Sequence, residues 1–307
     1  VLGFTQLARR RDAAFVGAVR RIADRHDHVG VFNPSLGRVG ETTLLAYRAI
    51  PRGERAIRAY LATWTTDPIA HELTDLTLFG EELGLPRVAD PKIVTGADAA
   101  YVTFNTGFSK KVNNDIFLLP VYPHVGRPQR LVADFDRQRV EKNWAFVLAE
   151  DREPFAIYQL APYRELRISR GRLGDGADLT VSLREPASTV TNAEGLTIGT
   201  QPVAVDGALR LMAHEKWVVR GKRAYFGRAV RIDGAGTDDV RVAASRPRVV
   251  HRWREALPHE PVHNPNLLSA TYFSGLLRDG DDLLLGYGIN DTDFSIARTP
   301  LGTADRA

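Results

Sequence analysis

The chain contains no cysteine and a single methionine. A disulfide framework and any thiolate metal site are thereby excluded. It also lacks an apolar run long enough to span a bilayer and a leader-like N-terminus, so a cytoplasmic location with no membrane partner is expected. An excess of basic charge is nearly absent too: 41 Lys and Arg stand against 37 acidic residues, a net charge of +4. That balance mildly favours anionic ligands and falls well short of the clustered basic surface of a protein that binds nucleic acid polymers. What remains is 307 residues, 44% of them hydrophobic, enough for one large domain or two ordinary ones.

Near the N-terminus, Phe15, Val19 and Ile22 recur at helical spacing, with Arg10, Arg11, Arg20 and Arg21 largely off that stripe. A helical extension over residues 8–25 is predicted. Its arginines either contact a phosphorylated ligand or form a solvated face. Beyond it, short runs of Val, Leu, Tyr and Phe alternate with Gly, Pro and Asp turns, the pattern of many antiparallel strands.

Five of these runs resemble one another: "LLAYRA" from Leu44, "AYVTFN" from Ala100, "FAIYQL" from Phe155, "LRLMAHEK" from Leu209 and "LLLGYGIND" from Leu283. Their starts are 56, 55, 54 and 74 residues apart, close to one four-stranded propeller blade per repeat. A sandwich requires no such period. Residues 1–307 are therefore read as one all-β, five-bladed β-propeller domain, whose repeats aim Arg48, Asn105, Gln159, His214 and Asp291 at a common axis.

Four stretches narrow the reading: "FNPSLGRVGETTLLAYR" from Phe32, "ADPKIV" from Ala89, "EKNWAFV" from Glu141 and "YGINDT" from Tyr287. In order and spacing they resemble the motifs of the five-bladed β-mannoside phosphorylases and related inverting glycosyltransferases, including the glucosyltransferases of nucleoside-antibiotic pathways. The resemblance implies that Asp90 is the residue exchanging a proton with the acceptor or sugar-linked oxygen. It places Lys92, Lys142, His214 and Tyr225 around the phosphate or leaving group, and Asn33, Ser35, Arg48 and Asp291 around the donor sugar.

Elementary chemistry fits those roles. In a single displacement from a sugar phosphate, one base deprotonates the acceptor while phosphate leaves from the opposite face, so one carboxylate suffices. Pro91 restricts Asp90 to an extended or turn conformation. Lys92 stands where the phosphorylases have Arg and cannot make a bidentate fork, which weakens the case for specialised binding of orthophosphate. Hydrolysis would need a second carboxylate; Glu141, Glu150 and Glu194 are available and no motif selects among them.

"HDH", His26 to His28, shows no third ligand at an evident spacing, and His259 and His263 are separated by Pro261. No metal and no cofactor are expected. The expected function is transfer of a hexose, with UDP-glucose as the implied donor, to a hydroxyl of a small nucleoside-like acceptor. Phosphorolysis of a β-mannoside, and a propeller that only binds carbohydrate or protein, are the alternatives.

Overall fold

The structure, a computed structural model, describes residues 4–107, 113–138, 140–149, 152–252 and 266–301; Glu150, His259 and His263 lie outside them. A short strand β1 (Phe4–Gln6) and a 3-10 turn (Ala8–Arg10) precede helix α1 (Ala13–Arg25). Five groups built on antiparallel hairpins follow. The first comprises β2 (His28–Val39), β3 (Thr42–Pro51), β4 (Arg58–Trp64) and β5 (Glu72–Asp75), trailed by the short helix α2 (Leu76–Glu82). The second is β6 (Ala89–Thr95), β7 (Ala100–Asn105), β8 (Ile116–Tyr122) and β9 (Gln129–Ala133). The third is β10 (Ala145–Val147), β11 (Phe155–Leu160), β12 (Tyr163–Arg170) and β13 (Leu179–Arg184). The fourth spans β14 (Ala187–Thr191), β15 (Thr197–Ile198), β16 (Val203–Val205), β17 (Ala208–Val219), β18 (Lys222–Asp233) and β19 (Asp239–Ala244), with β20 (Arg248–Val250) beside it. The fifth is β21 (Leu267–Asp279), β22 (Asp282–Ile289) and β23 (Asp293–Pro300).

The all-β reading holds, and the five similar runs fall on corresponding strands: β3, β7, β11, β17 and β22 each follow the first long or axial strand of their group. Such strands are covered on both sides, which is why they read as nearly continuous apolar runs. The last interval is longer because β20 and residues 251–266 intervene. Parallel contacts join neighbouring groups. Leu179–Val181 of β13 pair with Leu131–Ala133 of β9, and Arg223–Tyr225 of β18 with the start of β21. The ladders consequently form sheets of four, eight and eleven strands.

All five groups contribute to one axial cavity of about 760 Å³, through Leu36, Ile93, Phe146, Val203 and Leu277 among others. Below it the inner strands are stitched together by side chains. Ser274 Oγ donates to the Pro34 carbonyl at 2.9 Å, and Gln201 accepts from the Phe146 N–H at 2.7 Å while donating to the Trp144 carbonyl at 3.0 Å. A Cβ at Gly286 would stand 2.3 Å from the Pro34 oxygen, so only glycine permits this approach.

The predicted helix over 8–25 is divided. Asp12 accepts the Phe15 N–H at 2.9 Å and starts α1 one residue later, leaving Ala8–Arg10 as a separate turn. The buried stripe of α1, Val16, Val19, Ile22 and Ala23, fills the seam between the first and fifth groups against Tyr47, Leu284 and Ile296. Of its arginines, Arg20 pairs with Asp293 of β23 at 3.7 Å and Arg25 donates to the Ile69 carbonyl at 2.6 Å. Among the described residues, no helix is long and apolar enough to cross a membrane.

Candidate active site

Groups one to three share a backbone device. Asn33 (φ 54°), inside β2, Asp90 (φ 50°), at the start of β6, and Asn143 (φ 61°), just before β10, are all left-handed. Asn and Asp tolerate this conformation better than other residues with a Cβ. In the first two groups a proline follows and the ladder skips, from Phe32 to Ser35 and from Ala89 to Lys92. Each skip is a bulge, which releases a side chain from the alternation of the strand. Asp90 thus takes the turn conformation of the two that Pro91 allows.

Arg48, from β3, donates to Asp90 Oδ1 at 2.9 Å, with both side chains about four-fifths covered. Burial by itself would raise the Asp90 pKa, but Arg48, Lys142, Lys92 and a hydrogen bond from Asn105 together hold it below the usual carboxylate range. Asp90 is therefore ionised at neutral pH.

Lys92 points into the same cleft and is only 2% exposed. Burial, reinforced by Lys142 and opposed by Asp90, lowers its pKa to about 7. Its Nζ donates to Asn143 Oδ1 at 2.6 Å, and the Tyr272 hydroxyl donates to that same oxygen at 3.3 Å. Asn143 is thus a hub holding one cation and one phenol. No local pattern singles out Asn143, between Lys142 and Trp144, or Tyr272, which belongs to no motif.

His214 stacks on Tyr272, with ring centroids 4.2 Å apart, and its Nε2 accepts the Phe273 N–H at 2.9 Å. Burial and the two lysines drive its pKa well below the ordinary value. His214 is consequently a neutral imidazole, and Nδ1 is its remaining donor. Tyr225 is edge-on to both His214 and Tyr272 at 6.3 Å. Lys142 is exposed and acts on Asp90, Lys92 and His214 through its charge.

The residues assigned to the sugar are less uniformly placed. Arg48 reaches the site through Asp90. Ser35 is 1% exposed, and its Oγ accepts the Ile93 N–H at 2.9 Å, so this hydroxyl already ties two groups together. Asn33 is 4% exposed and its Oδ1 has no hydrogen-bond partner among the described residues. Asp291 shares with Asn290 a tight turn whose two central residues have positive φ, closed by the Thr292 N–H to the Ile289 carbonyl at 3.0 Å. Local turn chemistry accounts for its residue type, and its charge reaches Tyr272. Gln159 turns aside to the Ala161 carbonyl at 2.8 Å.

Of the candidate second carboxylates, Glu141 is buried and committed: it accepts from Gln138 N at 2.7 Å, the Tyr158 hydroxyl at 2.9 Å and Trp144 Nε1 at 3.2 Å. Glu194 is exposed in the turn between Ala193 and Leu196. The large cavities lie apart from Asp90, which lines only a narrow cleft with Lys92, Thr103, Asn105 and Asn143. Position and charge locate this site; volume does not.

No family model and no curated protein sequence matches the chain. Solved structures do. The β-1,2-mannobiose phosphorylase of Listeria innocua superposes with a TM-score of 0.59 at 12% identity, over 91% of this chain and 92% of that one. A GDP-Man-dependent mannosyltransferase from Leishmania mexicana gives 0.56 at 12% identity, over 92% and 87%. A mannose phosphorylase from the same organism, in complex with phosphate, gives 0.54 at 10% identity, over 92% and 86%. At these identities the likeness is one of architecture, and the architecture shared with them is an all-β propeller.

Proposed function

We propose that the chain is an inverting hexosyltransferase in which Asp90 is the general base and Arg48, Lys92 and Lys142 form the cationic surround of a leaving phosphate. The carrying observation is an ionised carboxylate, Asp90, set by a strand-initial bulge among three cations. In the reaction, the acceptor hydroxyl attacks the anomeric carbon and its proton passes to Asp90. The bond from that carbon to the phosphate oxygen breaks, and its electron pair departs with the phosphate. A bound phosphate partners the lysines and weakens their pull on Asp90, so donor binding raises the basicity of Asp90 when it is needed.

The donor proposed is a nucleoside-diphosphate sugar, UDP-glucose in the first instance, and the acceptor a hydroxyl of a nucleoside-like molecule. GDP-mannose belongs in the same assay because one structural neighbour is a GDP-Man-dependent mannosyltransferase. Incubating each donor with adenosine in EDTA, then identifying products by mass, tests the reading; glycosylated acceptor plus free nucleoside diphosphate is expected. The narrowness of the cleft beside Asp90 favours one second reading, phosphorolysis with inorganic phosphate. Phosphate-dependent cleavage of a mannoside without nucleotide binding selects it. Absence of turnover with every donor and with phosphate would reduce the protein to a binding module.

A further inference from the structure

The "HDH" stretch finds in space the partner it lacks in sequence. His26, the C-cap of α1, and His71, in the loop before β5, approach until their Nε2 atoms are 2.8 Å apart. The second contact of His71 fixes its protonation: Nδ1 lies 2.9 Å from the Pro68 carbonyl oxygen, an acceptor only, so Nδ1 carries the proton and Nε2 presents its lone pair. A backbone carbonyl holding the distal N–H of an imidazole is the usual support for a histidine that ligates a metal. His26 then supplies the proton between the two rings. By moving that proton to its own Nδ1, it presents a second lone pair without any net release of protons.

We propose that His26 and His71 form a two-imidazole site for a divalent first-row transition ion of the zinc, copper or nickel type, clamping the end of α1 to the loop before β5. The fit is geometric. Two imidazole nitrogens about 2.05 Å from a tetrahedral ion are about 3.3 Å apart, so the pair, whose rings stand almost end to end with centroids 5.0 Å apart, would open by about half an ångström and swing to turn both lone pairs onto the ion. Nitrogen donors select these ions over magnesium and calcium. Arg25 is engaged, donating to the Ile69 carbonyl at 2.6 Å. His28, 5.8 Å from His26 between ring centroids, turns its Nδ1 to the Tyr47 hydroxyl at 3.0 Å and is not counted as a ligand. Among the described residues no third His, Cys, Asp or Glu completes the set, so water fills the remaining positions.

The site is independent of the sugar-transfer reading, and its test needs no activity. Zn²⁺ and Cu²⁺ are titrated calorimetrically at pH 7.5 into the full chain, prepared without a histidine tag. The same titrations use His26→Asn, His71→Ala and, as a control, His124→Ala, with folding of each checked by circular dichroism. One ion per chain is expected for the wild type and the control, with affinity at least about tenfold weaker in each of the other two. Zn²⁺ should raise the melting temperature of the wild type and leave that of His71→Ala unchanged. Wild-type affinity in both His26→Asn and His71→Ala, or no stoichiometric binding by the wild type, overturns the assignment. In either case the 2.8 Å contact is a hydrogen bond only.

Discussion

Asn33-Pro34 and Asp90-Pro91 occupy corresponding places in the first and second groups, with the same positive φ, the same bulge and the same following proline. Their neighbours differ. Asn33 is enclosed, its side chain pressed towards Gly288, where a Cβ would lie 2.0 Å from Oδ1. Asp90 remains about one-fifth open and is ringed by Arg48, Lys92 and Lys142. A third Asx-Pro pair, Asp67-Pro68, is an ordinary turn in which Asp67 Oδ1 accepts the Ile69 N–H at 2.8 Å. The backbone therefore provides a projecting position, and the chemistry at that position is decided by the strands that surround it.

The strongest way to break the comparison is to give the second bulge the amide of the first. Asp90→Asn keeps shape and should leave donor binding largely intact, while transfer falls by about 10²–10⁴, read as turnover beside calorimetric donor binding. Removing a cation comes next. Lys142→Ala should lower transfer by about 10- to 100-fold and weaken donor binding, a loss tempered by the solvent exposure of Lys142. At the enclosed bulge the same logic predicts loss of stability in place of loss of chemistry. Gly288→Ala should destabilise the fold by about 1–3 kcal/mol in urea unfolding, because Asn33 has nowhere to retreat.

The smallest effect is a pH dependence. Lys92 has a folded pKa of about 7 against an ordinary lysine value of 10.5, so it is a cation below pH 7 and becomes neutral above it. Affinity for sulfate, an anion that does not titrate in this range, should fall by a few-fold in calorimetry as pH rises past about 7, and Lys92→Met should bind weakly with a flatter profile. The stability term has its own sign. Between the folded and unfolded pKa values the unfolded chain holds the extra proton, so the Lys92 contribution to stability rises from about pH 7 to about pH 10.5. A sulfate affinity that increases as pH rises past about 7 would contradict the placement of Lys92.

Much of this arrangement was legible in sequence because it is periodic. The apolar runs of β3, β7, β11, β17 and β22 mark their strands, and Arg48 and Asn105, at the ends of two of them, both reach Asp90. Gln159 has the same sequence position and turns away, since its group supplies a nearer carbonyl. What could not be read is what depends on enclosure and on distant partners. Burial makes His214 neutral and brings Lys92 close to neutrality, and no local pattern announces either state. Tyr272 meets Asn143 across 129 residues of chain, and His71 meets His26 across 45. The break between Arg10 and Ala13 is hidden because the arginine-rich stretch looks helical throughout, whereas Asp12 acts as a cap.

The central claim is that one carboxylate, Asp90, serves a single displacement. It is tested most directly by the anomeric configuration of the first product, followed by proton NMR from the start of the reaction with a donor of defined anomer. The account predicts a product of inverted configuration, formed by the wild type and not by Asp90→Asn on the same timescale. A first product that retains the configuration of the donor, or an inverted product formed at the wild-type rate by Asp90→Asn, would contradict it.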